Sequence, residues 1–494
     1  MKLSQHFLSL AIGVAASLGA AAQTTDFTRE INAPSNRYGY GQRVIYEMNV
    51  GSMTPEGTFK AASERLAGLK TLGVDVVWLM PVYPRGLDEN SIDSPYGARD
   101  FSQVNPKYGT VEDMRQFVNA AHQLNMEVWL DWVPNHTATD NVWVETHPEF
   151  YRHNEDGTLF HPYSGPFKYN DVAQLDYDNP ACAEAMTATM QYWLSYTGLD
   201  GLRCDFVSSQ FMPKDYWHKA MPRLKAFKSP LTGLPVTMLG ESDFHSCKHL
   251  YSAGWDYDYA WEFNDRLLEV GNSADAAKLQ KACEQLVNDP LYYNLDRMVY
   301  LTNHDANHND HVHTLEQKFG DNRYAFTVLT FTLYGMPLLY NGQEIGDQQD
   351  LNYFADTKVD WNLHDATMEH LVPTLTALKH TAPALRDGLT FEERGQVEFL
   401  ATGNPAVMAY LRKPAPKHRH GRHAEAQEKP ESEVLVVMNL GTAPAKVALP
   451  GIEGEWTQWV DSKTIAQGVS RTDVKFAAKQ KLQLPAKGYA VYVR

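Results

Sequence analysis

Cysteine is scarce in this chain of 494 residues: there are four, at positions 182, 204, 247 and 283. Their wide spacing matches no zinc-ligand pattern. In an oxidising compartment they leave room for one disulfide, without saying which two would pair. Cys204, inside an apolar segment, reads as a small buried residue. Positive charge is also in deficit, with 44 Lys and Arg against 60 Asp and Glu and a net charge of -16. Such a balance argues against nucleic acid or an anionic membrane as partner. Beyond the N-terminus no run approaches the ~20 apolar residues of a membrane-spanning helix.

The N-terminus itself reads as an export signal. Lys2 is the positive start, 7–18 is an apolar run too short to span a bilayer, and Ala20-Ala21-Ala22 is a small-residue cleavage site before Gln23. Removing 1–22 takes away one charge, that of Lys2, and leaves the mature chain at -17. No cysteine follows the cleavage site, so lipid attachment is not expected there. The expected location is periplasmic or extracellular. The rest has an ordinary globular composition and a length that suits two or three structural units. Aromatics are plentiful, with 11 Trp and 26 Tyr, which serve either core packing or stacking on sugar rings.

From Val44 to about Leu385 short apolar runs alternate with amphipathic helices. Strands are expected at 44–50, 75–80, 127–131, 201–206, 236–241, 257–263, 298–302 and 337–340. Phe59, Ala62, Leu66, Leu69 and Leu72 share one helical face, and Thr110 reads as the N-cap of a helix whose first turn holds Glu112 and Asp113. Further helices are expected at 180–196 and 370–382. Eight such units with near-continuous apolar strands predict a closed parallel (β/α)8 TIM barrel over 38–388, with an open doubly wound sheet as the rival. The rhythm breaks at 137–179, a polar stretch rich in Pro, Asn, Asp and aromatics, which reads as a short inserted excursion after the third strand. From 389 to 494 the period shortens to alternating strands at 397–401, 407–411, 434–439, 446–449, 454–460, 481–484 and 489–493, predicting an all-β sandwich. Within it, 413–433 is a Pro-, Lys-, Arg-, His- and Glu-rich insert expected to be solvated. Its histidines, His418, His420 and His423, fit a solvated tract better than a metal site.

In a parallel barrel the chemistry gathers at the C-terminal ends of the strands. Those ends carry Tyr96 after the second strand, then Asp131, Asn135 and His136, then Arg203 and Asp205, then Glu241, then His304 and Asp305. Arg203 and Asp205 stand two apart and so share one side of a strand. There the cation favours the ionised carboxylate that a nucleophile needs. Glu241 has no adjacent cation in sequence and is expected to be held protonated. One carboxyl ionised and one protonated would suit a nucleophile and a general acid in the same site. So many ionisable groups at one end of a fold are costly without a task.

Four short segments in order, 131–136, 201–205, the strand ending at Glu241, and 303–305, make the chain resemble the α-amylase-type enzymes of glycoside hydrolase family 13. Ser94-Pro95-Tyr96, 104–110 and 335–344 add to the likeness, which covers about 38–494. The resemblance implies Asp205 as nucleophile, Glu241 as general acid/base and Asp305 as transition-state stabiliser. Tyr96, Asp131, His136, Arg203 and His304 would bind the sugar that reacts. It implies an α-glucan oligo- or polysaccharide as substrate, with internal α-1,4 cleavage as the leading activity. An α-glucosidase or glucosyl transferase of the same fold is the first alternative, and a catalytically silent glycan-binding protein the second. Two departures stand out. Ser208 and Ser209 replace the Lys-His pair that many members carry after the nucleophile. Gln174 takes the place of a common calcium-binding aspartate, so no cofactor is expected to be required and a structural calcium is disfavoured.

Overall fold

The computed structural model describes residues 42–89, 91, 93–242, 247–289, 295–308, 312–387, 394–415, 433–477 and 480–494. The expected export segment 1–22, the boundary near 388 and nearly all of the insert 413–433 lie outside the described residues.

Eight parallel strands close into a barrel: Ile45–Met48, Val76–Leu79, Glu127–Trp132, Gly201–Cys204, Thr237–Gly240, Tyr257–Tyr259, Asp296–Val299 and Met336–Tyr340. Each pairs with its sequence neighbour, and the first closes on the eighth. Alternation splits the apolar residues into two layers. Ile45, Val76, Trp78, Trp129, Leu239, Tyr257, Tyr259, Met298, Met336 and Leu338 fill the barrel interior, while the intervening residues pack outward under the helices. Gly201 is required by this crowding. A Cβ there would lie 2.5 Å from the Thr237 carbonyl oxygen and 2.8 Å from the Trp129 ring, so Trp129 fills the barrel only because residue 201 has no side chain.

The expected helices are present at Phe59–Leu72, Val111–Gln123, Pro180–Thr197 and Ala366–Thr381. Thr110 caps its helix in a reciprocal box with Asp113. The sixth strand is shorter than its apolar run suggests, because Trp261–Val270 turns helical with Glu262 in its first turn. The excursion has more structure than its composition indicates: His136–Ala138 pairs antiparallel with Val172–Gln174, Tyr163–Ser164 with Phe167–Lys168, and Val142–Thr146 is a short helix.

The C-terminal region is a six-stranded antiparallel sheet faced by the pair 445–448 and 481–484. Val407, Ala409, Leu411, Leu435 and Val437 pack against the small sheet, through Val447 and Leu484. Met408, Tyr410, Val436 and Met438 on the other face join the barrel's outer core. Thr472–Phe476, absent from the sequence reading, is the edge strand of the large sheet and is mostly exposed. An edge strand with one half-wet face carries too few apolar residues to announce itself. Among the described residues no helix is long and apolar enough to cross a membrane.

Candidate active site

Period two and barrel register together set the site. Asp131 and Arg203 are direct partners on the third and fourth strands, and Arg203 is opposite Leu239 on the fifth. Asp131 and Arg203 point inward with Leu239, at the edge of the apolar filling to which Leu239 belongs. Arg203 is fully buried, and its guanidinium is the centre of the site. Nη1 donates to Asp131 Oδ1 at 2.8 Å and to Asp205 Oδ1 at 3.1 Å, and Nε donates to the Tyr259 hydroxyl at 3.1 Å. Nη2 lies 2.8 Å from Glu241 Oε1, yet is out of line for a hydrogen bond. This last contact corrects the sequence reading: Glu241 does have a cation beside it, supplied across the sheet by the neighbouring strand. The rings of Trp78, Tyr96 and Tyr259 surround the guanidinium with centroids 5.2–5.7 Å away.

Burial still dominates the titration of the two carboxyls. It pushes Glu241 up to about 8, against Arg203, with Asp205 and Asp305 adding to the rise. Asp205 rises less, to about 6, through burial opposed by Arg203, which donates to it directly. The order that acid/base chemistry needs is therefore kept even though one cation touches both. Glu241 Oε2 also accepts the Phe206 N–H at 2.8 Å, and Phe206 sits at φ 44. That left-handed backbone immediately after Asp205 is costly for a side chain of this size.

A second network joins the far wall. Tyr96 donates to Asp131 Oδ2 at 3.1 Å and meets His304 Nε2 at 2.7 Å, its ring stacked on the imidazole at 5.1 Å. Burial disfavours the imidazolium of His304, but Asp305 and Glu47 outweigh it and bring the group to about 9. Burial pushes Asp131 up to about 6 against the pull of Arg203 and His304. His136 goes the other way, down to about 4, because burial exceeds the opposing influence of Asp171 and Glu241. Asp305 is the most open of the three acids, its side chain 35% exposed against 12% for Asp205 and 14% for Glu241.

The eight residues to which the resemblance gives a catalytic or sugar-binding role thus come together at one end of the barrel. Sequence reasoning missed Glu47, Trp78, Tyr259, Asp171 and Tyr353, whose hydroxyl donates to Asp305 Oδ1 at 3.5 Å. Glu47 was the readable one: an acid alone in the apolar run 44–50 is buried with no partner in sequence, and buried charges find partners. On the open side the rings of Tyr169 and Phe206 meet at 6.4 Å, and Phe167 and Tyr169 of the excursion are exposed.

The catalytic-domain model of α-amylase matches residues 26–371. The chain belongs to the α-amylase family. Among curated relatives it is 27% identical over 424 residues to an α-amylase of Haloarcula japonica, covering 83% of this chain and 57% of that protein. It is 26% identical over 458 residues to an α-1,4-glucan:maltose-1-phosphate maltosyltransferase of Streptomyces coelicolor, covering 82% and 60%. The chain thus spans less than two thirds of the length of either. Among solved structures, a maltogenic α-amylase of Thermotoga neapolitana superposes with a TM-score of 0.72 at 25% identity, covering 91% of this chain and 98% of that one. An α-amylase of Geobacillus thermoleovorans complexed with acarbose, at 19% identity, shares the fold with a TM-score of 0.69 over 92% and 98%.

The calcium that the α-amylase family suggests does not fit the residues here. Asn135 and Gln174 face each other fully buried, hydrogen-bonded amide to amide, and no carboxylate enters that contact. Among the described residues no cluster of three or more His, Cys, Asp or Glu could hold a metal ion.

Proposed function

We propose that this chain is an exported α-glucan hydrolase that cleaves internal α-1,4 bonds of starch or maltodextrins with retention. The observation that carries the reading is the single guanidinium between Asp205 and Glu241, with burial raising Asp205 to about 6 and Glu241 further, to about 8. At pH 7 Asp205 is ionised and Glu241 protonated. Asp205 attacks the anomeric carbon while Glu241 gives its proton to the departing oxygen, leaving a glucosyl ester on Asp205. Water, deprotonated by Glu241, then opens the ester with a second inversion. The closeness of two carboxyls that one guanidinium spans suits direct attack better than a water held between them. Asp305, open to the cleft, is placed to face the positive charge that develops on the sugar ring. Asp131, Tyr96 and the His304 imidazolium, hydrogen-bonded to one another, form the polar wall beside the reacting sugar.

Export rests on the character of residues 1–22. A second reading is transfer of glucosyl units, favoured by one specific feature: Ser208 and Ser209 stand where a Lys-His pair would hold a leaving sugar, and aromatic faces border that side instead. A glycan-binding protein without catalysis is disfavoured by the paired acids. Incubation with soluble starch and with a maltooligosaccharide series, followed by anomer-resolved NMR, tests the proposal. Release of reducing ends first seen as α-anomers is expected. Initial β-anomers, or no new reducing ends, would reject it, and longer oligosaccharides in place of hydrolysis would favour transfer.

A further inference from the structure

The strand His136–Ala138 and the returning strand Val172–Gln174 pair so that His136 is opposite Gln174. The Gln174 amide nitrogen lies 2.9 Å from the Asn135 carbonyl oxygen, 3.1 Å from Asn135 Oδ1 and 3.0 Å from the Leu175 carbonyl oxygen. Three oxygens thus converge on one point, as around a cation, and an N–H donor stands at that point. Backbone carbonyls only accept, so the Gln174 end that faces them must be the NH2 group. Its Oε1 then accepts from Asn135 Nδ2 at 3.2 Å. The same Nδ2 lies 3.2 Å from His136 Nδ1. An amide NH2 only donates, so Nδ1 accepts and the ring proton resides on Nε2.

We infer that Gln174 is a metal-free clasp and a positioning residue: its amide stands in for a cation between the third barrel strand and the excursion, and through Asn135 it holds His136 as the Nε2–H tautomer. The nearby carboxylates that could have completed a calcium shell are otherwise engaged. Asp176 and Asp178 both face Arg152, at 3.3 and 2.8 Å. Calcium asks for 6–8 oxygens and gains affinity from charged ones, whereas an amide satisfies three neutral oxygens without burying a charge. Neither the clasp nor the tautomer rests on the proposed function.

The test therefore uses readouts other than turnover. Melting curves of the full chain in EDTA and in millimolar calcium are expected to coincide, and calorimetry is expected to show no calcium binding. Gln174→Glu exchanges an NH2 for an oxygen, so four oxygens then converge with a charge among them. That variant is expected to melt lower than the parent, to bind calcium and to recover its midpoint as calcium is added. In 15N-imidazole spectra, with the His136 signal assigned by its loss in His136→Gln, the parent is expected to show protonation at Nε2. Asn135→Asp, which replaces the donor beside Nδ1 with an acceptor, is expected to move the proton to Nδ1. A parent midpoint that rises by many degrees with calcium, or a parent His136 protonated at Nδ1, would overturn the inference. So would a folded Gln174→Glu indifferent to calcium. The two measurements on the parent decide the matter even where a variant does not fold, and neither outcome bears on whether the chain hydrolyses glucans.

Discussion

Glu47 Oε1 lies 2.5 Å from His304 Nδ1, tying the first barrel strand to the segment after the seventh. With Nδ1–H given to Glu47, the imidazolium Nε2–H faces the Tyr96 oxygen, and the Tyr96 proton is left for Asp131. Glu47→Gln is expected to lower the His304 pKa from about 9 toward the ordinary histidine range. Activity should then fall more at pH 8 than at pH 6, and an imidazole NMR titration reads the shift directly. The sign for stability follows from the raised value. The contribution is fully present below the unfolded pKa of ~6.5 and is lost as pH rises through about 9. The melting difference between parent and variant should therefore shrink above that pH. An unmoved His304 titration would refute the pairing.

The free enzyme's kcat/KM should be bell-shaped, limited by ionisation of Asp205 at about 6 and by deprotonation of Glu241 at about 8. The two acids interact, so these values belong to the pair. A profile flat from pH 5 to 9 would contradict the assignment.

Asp205→Asn should cost at least a factor of about a thousand in kcat with the fold intact, an amide being a poor nucleophile. Near-parental rates in a preparation free of deamidation would remove Asp205 from its role.

Glu241→Gln should lose activity on glucans by a factor of about 10²–10⁴, yet lose less on a glycosyl fluoride, whose leaving group needs little protonation. Its raised pKa gives a second readout. Folding favours the protonated acid, so between the unfolded pKa near ~4.3 and about 8 the native state binds more protons and stability falls as pH rises. The variant should therefore gain in melting temperature relative to the parent at pH 9. Equal losses on both substrates would show that Glu241 is not the acid.

Tyr169 is half-exposed, its ring against Phe206. Burial raises its hydroxyl, and Glu241 is the first charge to add to that, ahead of Asp205 and Asp305. Tyr169 is therefore expected to meet a sugar bound on the Glu241 side of the site. Loss of one stacking face of about 1 kcal/mol in Tyr169→Ala should reduce kcat/KM on maltotetraose about fivefold. Turnover of maltosyl fluoride, which has no sugar on that side, should hold. Equal effects on the two substrates would count against a leaving-side contact.

Local pattern alone carried the barrel, the excursion and the C-terminal sheet, because strand and helix periods depend on residues that are near in sequence. It also carried the pairing of Arg203 with Asp205, two residues apart on one strand, and the eight candidate side chains at the strand ends. The charge state of the site was beyond it. Arg203 reaches Glu241 only because the fourth and fifth strands are neighbours, and Glu47, 257 residues away, adds to Asp305 in favouring the His304 cation only because barrel closure brings it alongside. The inferred tautomer of His136 depends likewise on Gln174, 39 residues from the Asn135 amide that it orients. Hydrogen bonds and Coulomb interactions depend on separation in space, and only the closed barrel brings these groups within a few ångströms of one another.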